Sequence, residues 1–259
     1  MLKVLQTRLR QGFRTHAFPR QAPPLPEAFR GWPALAAGQC PQQCSQCVGA
    51  CPTGAIRREA AGPVIDLGRC LFCTDCTDVC TPGAIRFTRN YHLASRSRAE
   101  LQVAPEVAPA TMPPLKKPLR RMLGRSLKLR QVSAGGCNAC EADTNVLTTL
   151  VFDLGRFGIQ FVASPRHADG LLITGPVTAN MKLALEKTYA AVPAPKIVIA
   201  VGACAISGGP YIDHSETRNG AAGIVPVDLF IPGCPPHPWT ILDGLLRLLG
   251  HQTPPVPAG

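Results

Sequence analysis

The pattern of apolar and polar positions is clearest in the second half of the chain, where short apolar runs alternate with amphipathic stretches. Residues 197–206 (IVIAVGACAI) are almost wholly apolar, which predicts a buried strand leading into a turn. The same reasoning predicts strands over 198–201 and 225–231, and helices over 146–154, 179–190 and 238–249. Because strands and helices alternate, the pattern indicates an α/β domain with a mostly parallel sheet.

The first residues show a different pattern, with apolar side chains at helical spacing and basic ones between them. The apolar positions are Leu2, Leu5, Leu9 and Phe13, and the basic ones are Lys3, Arg8, Arg10 and Arg14. We therefore expect an amphipathic segment within residues 1–30. Such a helix suits a membrane face or a membrane subunit, and it equally suits packing on its own domain.

Charge and composition narrow the class of partner. The 259-residue chain has a formal charge of +11, which can suit nucleic acid, an anionic membrane or an acidic partner. Aromatic residues are only 5% and do not interleave with basic patches, so we expect no nucleic-acid partner. No apolar run reaches ~18 residues, and the first residues do not resemble a secretory signal. We expect a reducing compartment, where cysteines serve metals or catalysis.

Eight of the twelve cysteines form two repeated runs. These are Cys40, Cys44, Cys47 and Cys51, followed by Cys70, Cys73, Cys76 and Cys80. The second run has the C-x2-C-x2-C-x3-C spacing of bacterial ferredoxins, and CVGACPTGAIR repeats as CTDVCTPGAIR. The repeat predicts an α+β two-cluster ferredoxin domain over residues 31–94.

In that spacing, three cysteines of one run and the last of the other bind each 4Fe–4S cube. The predicted sets are Cys40, Cys44, Cys47 and Cys80 for the first cube, and Cys70, Cys73, Cys76 and Cys51 for the second. The first run has one extra residue after Cys40, and Thr81 separates Cys80 from Pro82. A pair of zinc sites is the competing interpretation, since C-x2-C pairs also bind zinc.

The remaining cysteines lie in Gly- or Pro-rich turns of the α/β part. They are Cys137 and Cys140 (SAGGCNACEAD), Cys204 (VGACAISGG) and Cys234 (IPGCPPHP). Ligands of open α/β sheets gather beyond the carboxyl ends of the strands, so we predict a third cube here. The glycines Gly202, Gly208, Gly209 and Gly233 would let the backbone approach the cube and donate N–H groups to its sulfurs.

These motifs, together with FDLGRFGIQFV and ADGLLITGPVT, resemble the small subunit of membrane-bound nickel–iron hydrogenases of the formate-hydrogenlyase type. The first half resembles the two-cluster ferredoxin subunit of the same complexes. The resemblance implies a flavodoxin-like α/β fold for residues 124–259. The composition of residues 95–123 predicts a Pro/Arg-rich linker between the halves. It also implies a separate large subunit that holds the nickel–iron site.

Three 4Fe–4S clusters and several partners follow from that resemblance. The partners would be the large subunit, membrane subunits and an electron-donor subunit or ferredoxin, with the chain peripheral on the cytoplasmic face of the membrane. Glu141, next to Cys140, is a candidate for a proton route, although a helix start explains it as well. Complex I has related subunits, but there two adjacent cysteines replace the spaced pair. The remaining alternatives are a complex I-like module passing electrons to quinone and a free-standing carrier.

Overall fold

The computed structural model describes residues 2–41, 43–109 and 111–254. Eight residues of the predicted segments lie outside the described ones. They are residue 1 of the segment 1–30, residue 42 of the segment 31–94, residue 110 of the segment 95–123 and residues 255–259 of the segment 124–259. Within the described ranges, no helix has both the length and the apolar character needed to cross a membrane.

The first half contains short helices and two small antiparallel sheets. Its elements are α1 (Leu2–Gln11), β1 (Pro33–Leu35), α2 (Gln46–Ala50), β2 (Ile56–Glu59), β3 (Gly62–Asp66), α3 (Asp75–Asp78), β4 (Ile85–Phe87), β5 (Gln102–Val103) and α4 (Lys117–Leu123). Strand β1 pairs with β4, and β3 lies between β2 and β5. The sequence repeat is also a structural one. Cys47 in α2 and Cys76 in α3 are 29 residues apart, as are the first residues of β2 and β4, Ile56 and Ile85.

The second half is built on one parallel sheet. Its elements are β6 (Leu127–Ser133), α5 (Ala139–Val146), β7 (Ile159–Phe161), β8 (Gly170–Thr174), α6 (Ala179–Ala191), β9 (Ile197–Val201), α7 (Ala203–Ser207), β10 (Leu229–Ile231) and α8 (Pro238–Leu248). The strand order is β10-β9-β8-β6-β7, and every pair is parallel. Strands β8 and β9 are buried along their whole length, as the apolar run of β9 predicts. The predicted α/β class is confirmed for this half.

Two of the predicted elements differ from the structure. The helix predicted over 146–154 is wrong, because α5 begins after Asn138 and ends at Val146. Beyond it the hydroxyls of Thr148 and Thr149 donate to nearby backbone carbonyls, each over 2.8 Å, which favours turns. The strand predicted from 225 begins only at Leu229. Before it, Pro226 has no N–H to pair.

The two halves share hydrophobic cores. Leu67 and Cys70 of the first half belong to the same buried cluster as Ala205 and Ile206 of the second. At this contact, called the seam below, a Cβ on Gly68 would lie 2.7 Å from Ile206 Cγ2, and the Ser207 hydroxyl donates to the Gly68 carbonyl over 2.8 Å. The relative position of the halves is therefore fixed by packed side chains.

The segment 95–123 carries secondary structure of its own. Strand β5 adds to the first half's sheet, with Val103 paired to Ile65, while Leu115 and Leu123 are buried in a core with residues of the parallel sheet. An extended linker describes this segment poorly, because its apolar residues pack on both halves. The domain boundaries remain predictions.

Helix α1 has no buried residue. Leu2, Leu9 and Phe13, which follows the helix, are each more than 80% exposed. The alternative in which this helix packs its apolar face on its own domain is therefore wrong.

Candidate functional site

The four cysteines of the α/β half lie at the carboxyl edge of its sheet. Cys137 and Cys140 follow β6, Cys204 follows β9 and Cys234 follows β10. Burial, and after it the charges of the other three cysteines, raises the pKa of Cys140. Burial, with Cys234 and Cys137, raises the pKa of Cys204 to about 12. The four thiols thus lie at one edge of the sheet, and their binding of a third cube remains a prediction.

Glycines allow the thiols to approach the turns that follow the strands. Gly202 has φ 91° and ψ 155°, and a Cβ there would lie 2.5 Å from Cys140 Sγ. A Cβ on Gly209 would lie 2.8 Å from Cys204 Sγ. The predicted role of their N–H groups is wrong for three of the four glycines. Gly202 and Gly208 donate theirs to the Ile231 and Cys204 carbonyls, and Gly209 donates its own to the Ser207 hydroxyl over 3.4 Å.

Glu141 lies in the first turn of α5 and is buried. The Thr174 hydroxyl donates to its Oε1 over 2.5 Å. The carboxyl also faces an open cavity of about 570 Å³ with Arg130 and Asn145 on its walls. A buried carboxylate at a helix start is stabilised by the helix dipole. The proton-route role of Glu141 remains a prediction.

The first predicted set lines a single cavity. Its walls include Cys40, Cys44, Cys47 and Cys80, together with prolines such as Pro63. Cys47 is buried, and burial followed by the charges of Cys40, Cys80 and Cys44 raises its pKa. Cys80, from the second run, therefore meets three cysteines of the first run.

The second set is assembled in the reciprocal way. Burial raises the pKa of Cys70 to about 12, and the charges of Cys76, Cys51 and Cys73 act in the same direction. Two sulfurs of this set accept backbone N–H groups: Phe72 N donates to Cys70 Sγ over 3.3 Å, and Ala55 N donates to Cys51 Sγ over 3.2 Å. Such bonds stabilise the thiolate form, which is the form that binds iron.

The three sets lie next to one another in a fixed order. Cys47 of the first set lies in the same buried cluster as Cys70 and Cys76 of the second, so the two sets border one another there. Burial, and after it the charges of Cys73, Cys51 and Cys47, raises the pKa of Cys76. Burial raises the pKa of Cys234, and the charges of Cys137 and Cys73 act in the same direction. Cys73 and Cys234 also line one cavity of about 540 Å³ at the junction of the halves. The order is first set, second set, third set.

One residue beside the first set was not found from the sequence. Arg58 on β2 donates from Nη1 to Cys40 Sγ over 3.1 Å. The same side chain donates to the Cys44 and Pro41 carbonyls in the loop that follows Cys40.

Among the residues that the structure describes, no three His, Cys, Asp or Glu side chains converge closely enough to share one metal ion. A 4Fe–4S cube does not require such convergence, because each of its thiolates binds a different iron.

Comparison with known proteins places the α/β half in a family. Residues 137–248 match the family model described as NADH ubiquinone oxidoreductase, 20 Kd subunit. The chain is 44% identical over 126 residues to a probable membrane-bound hydrogenase subunit of Pyrococcus furiosus, covering 49% of this chain and 75% of that one.

Two further relatives come from different complexes. Formate hydrogenlyase subunit 7 of Escherichia coli is 46% identical over 126 residues, 49% of each chain, so the present chain spans about half of that relative. A subunit of the NADH-quinone oxidoreductase of Heliobacterium modesticaldum is 38% identical over 127 residues, covering 49% of this chain and 73% of that one. The chain belongs to the family of the NADH ubiquinone oxidoreductase 20 Kd subunit, which also includes subunits of membrane-bound hydrogenases.

Proposed function

We propose that this chain is the electron-transfer subunit of a membrane-associated nickel–iron hydrogenase complex and holds three 4Fe–4S clusters. Its first half would be a two-cluster ferredoxin domain. The observation that carries the proposal is the unbroken order of three four-cysteine sets. Cys47 of the first set lies in one buried cluster with Cys70 and Cys76 of the second, and Cys73 of the second lines one cavity with Cys234 of the third.

The residues present fit this cofactor. Each set supplies four thiols, the number that one cube needs. The first set lines one cavity, the second receives N–H donors at two of its sulfurs, and the third has room for Cys140 Sγ because residue 202 is glycine. When bound, each cube accepts and releases one electron.

The chain's own residues set the relative positions of the three sites. Cys204 precedes one side of the seam and Cys70 follows the other, and Ile206 and Leu67 of the two sides belong to one shared core. Burial also excludes water from Cys47, Cys70 and Cys76. A rigid, dry surrounding suits repeated electron transfer, because little has to rearrange when charge changes.

The partner with the catalytic metal would be a separate large subunit. The twelve cysteines are all used by the three sets, so none is left for a nickel–iron site. Asn138 and Ala139 separate Cys137 from Cys140, a spacing that favours the hydrogenase branch over a complex I-like module passing electrons to quinone. An electron-donor subunit or a ferredoxin would face the first set.

The membrane association would rest partly on α1. Its exposed apolar side chains are interspersed with Lys3, Arg8 and Arg10, a combination that suits an anionic surface or a membrane subunit. We place the chain on the cytoplasmic face, consistent with thiols that must stay reduced.

The test is anaerobic native purification, with iron, nickel and acid-labile sulfide measured on whatever co-purifies. We expect about twelve irons per chain, four for each cube, and one nickel in a large partner. The same iron with a large partner and no nickel would favour the complex I-like module. The same iron with no partner would favour a free-standing carrier. About eight irons, enough for two cubes, would refute the third site.

A further inference from the structure

The gap between Cys40 and Cys44 is one residue longer than the equivalent gap in the second run. A longer loop has more conformations to lose when it closes around a ligand, and its extra peptide needs hydrogen-bond partners. Inside the loop the Cys44 N–H donates to the Pro41 carbonyl over 3.0 Å, and a side chain from outside the loop supplies further donors to its described residues.

Arg58 makes three contacts with this loop. Its Nη1 donates to the Cys44 carbonyl over 2.8 Å and to Cys40 Sγ over 3.1 Å, and its Nη2 donates to the Pro41 carbonyl over 3.0 Å. The planar guanidinium thus joins both ends of the gap. A fork of this kind cannot be reproduced by an ammonium group, which is a compact point charge.

The position of Arg58 follows from strand register. In the β2–β3 pair, Arg58 lies opposite Pro63, and directly paired residues of an antiparallel sheet point to the same face. Pro63 lines the cavity of the first set, so Arg58 is on that face too. Arg57 is on the other face, where it is exposed and forms an ion pair with Glu59 at 2.8 Å.

We propose that Arg58 is a positioning residue for the first cluster, holding the enlarged Cys40–Cys44 loop closed and placing a fixed positive charge at Cys40. This inference rests on the proposed function, because it assumes that a cluster binds there. A positive charge in contact with a ligand sulfur stabilises the more negative, reduced state of a cluster, and hydrogen bonds to the sulfurs act in the same direction. Arg58 therefore raises the reduction potential of the first cluster.

The test compares three variants of the full-length chain with the wild type. Arg58→Gln removes the charge and the fork, and Arg58→Lys keeps the charge but loses the fork. Arg57→Gln is the matched control, which removes the same charge from the neighbouring residue on the opposite face. Each protein is assayed for iron content, for rate of iron loss to a chelator, and by potentiometric titration followed by electron paramagnetic resonance.

With Arg58→Gln, we expect one of three one-electron components to move to lower potential and the other two to stay. Iron should leave this variant several-fold faster than the wild type. Arg58→Lys should lose iron faster too, with a potential between those of Arg58→Gln and the wild type. Arg57→Gln should match the wild type in both assays.

The proposal is overturned if Arg58→Gln matches Arg57→Gln in both potential and rate of iron loss. If Arg58→Gln does not assemble its first cluster, the test rests on Arg58→Lys. Iron loss from Arg58→Lys at the wild-type rate would then refute the proposal that Arg58 holds the Cys40–Cys44 loop closed. A wild-type protein with empty Cys40, Cys44, Cys47 and Cys80 would refute the cluster site of the proposed function itself, before any variant is compared. Full iron with no difference between variants would refute the role of Arg58 alone.

Discussion

Replacing Gly202 by Ala tests the third site through a single methyl group. Gly202 follows β9 and has φ 91° and ψ 155°, a region essentially restricted to glycine. The Cβ of the new alanine would lie 2.5 Å from Cys140 Sγ. The substitution therefore introduces backbone strain and a collision with a proposed iron ligand at once.

The two effects have different magnitudes and consequences. The backbone strain costs about 1–3 kcal/mol, against about 5–15 kcal/mol for the unfolding of a typical domain, so the chain should still fold. Relieving the collision requires Cys140 Sγ to move by about 1 Å, because unstrained contacts lie near 3.5–4.0 Å. Metal sites tolerate displacements of only about 0.5 Å. The expected result is a folded protein without the third cluster.

The assay is iron content together with circular dichroism. Gly202→Ala should lower iron from about twelve to about eight per chain, with the helical signal retained. Gly223→Ala is the matched control, since Gly223 is exposed in the same half and a Cβ there meets nothing within 4 Å. A folded Gly202→Ala protein with about twelve irons would refute the assignment of Cys140 to a cluster.

Two other predictions concern the first half. Cys80 lies with the first set, so Cys80→Ser should disturb the first cluster and leave the second in place. Alkylation followed by mass spectrometry should then label Cys44 and not Cys73. Protection of Cys44 from alkylation would contradict this prediction. Burial raises the pKa of Asp66, but hydrogen bonds from Arg98 outweigh it and lower the pKa overall. Asp66 should thus contribute stability above about pH 4, lost as pH falls through its lowered pKa. Urea unfolding of Arg98→Gln should show a weaker loss between neutral and acid pH; an unchanged pH profile would argue against the pair.

Local sequence patterns predicted the helices and strands that are buried along their whole length or have clear residues at their ends. Strand β9 and helices α6 and α8 match the predicted ranges to within one residue at each end, because β9 is apolar throughout and the helices are bounded by Thr178 and by Pro238. The grouping of cysteines was also accessible, since the spacing of each run limits which thiols can meet.

The misplaced helix shows what local patterns lack. Residues 146–154 are apolar enough for a helix, yet α5 is positioned by the Cys137–Cys140 turn, where Asn138 takes φ 70°. The end of α5 then follows from its start and from the threonines beyond it. The hydrogen-bond acceptor of the Gly202 N–H could not be predicted either. It is the Ile231 carbonyl, which belongs to a strand distant in sequence.

Arg58 could not be assigned from sequence for a related reason. Arg57, Arg58 and Arg69 look alike in the sequence, and only the register of β2 against β3 separates the one that faces the first set. The packing of 95–123 was missed because Pro-rich composition hides apolar residues, such as Leu115, that are spaced irregularly.

The seam between the halves has a consequence for how such a chain can change over time. Gly68 leaves no room for a side chain beside Ile206, and its carbonyl accepts the Ser207 hydroxyl. A substitution on one side would therefore need a matching change on the other. We therefore expect that neither half can be replaced by the equivalent part of a relative unless the opposing surface is replaced with it.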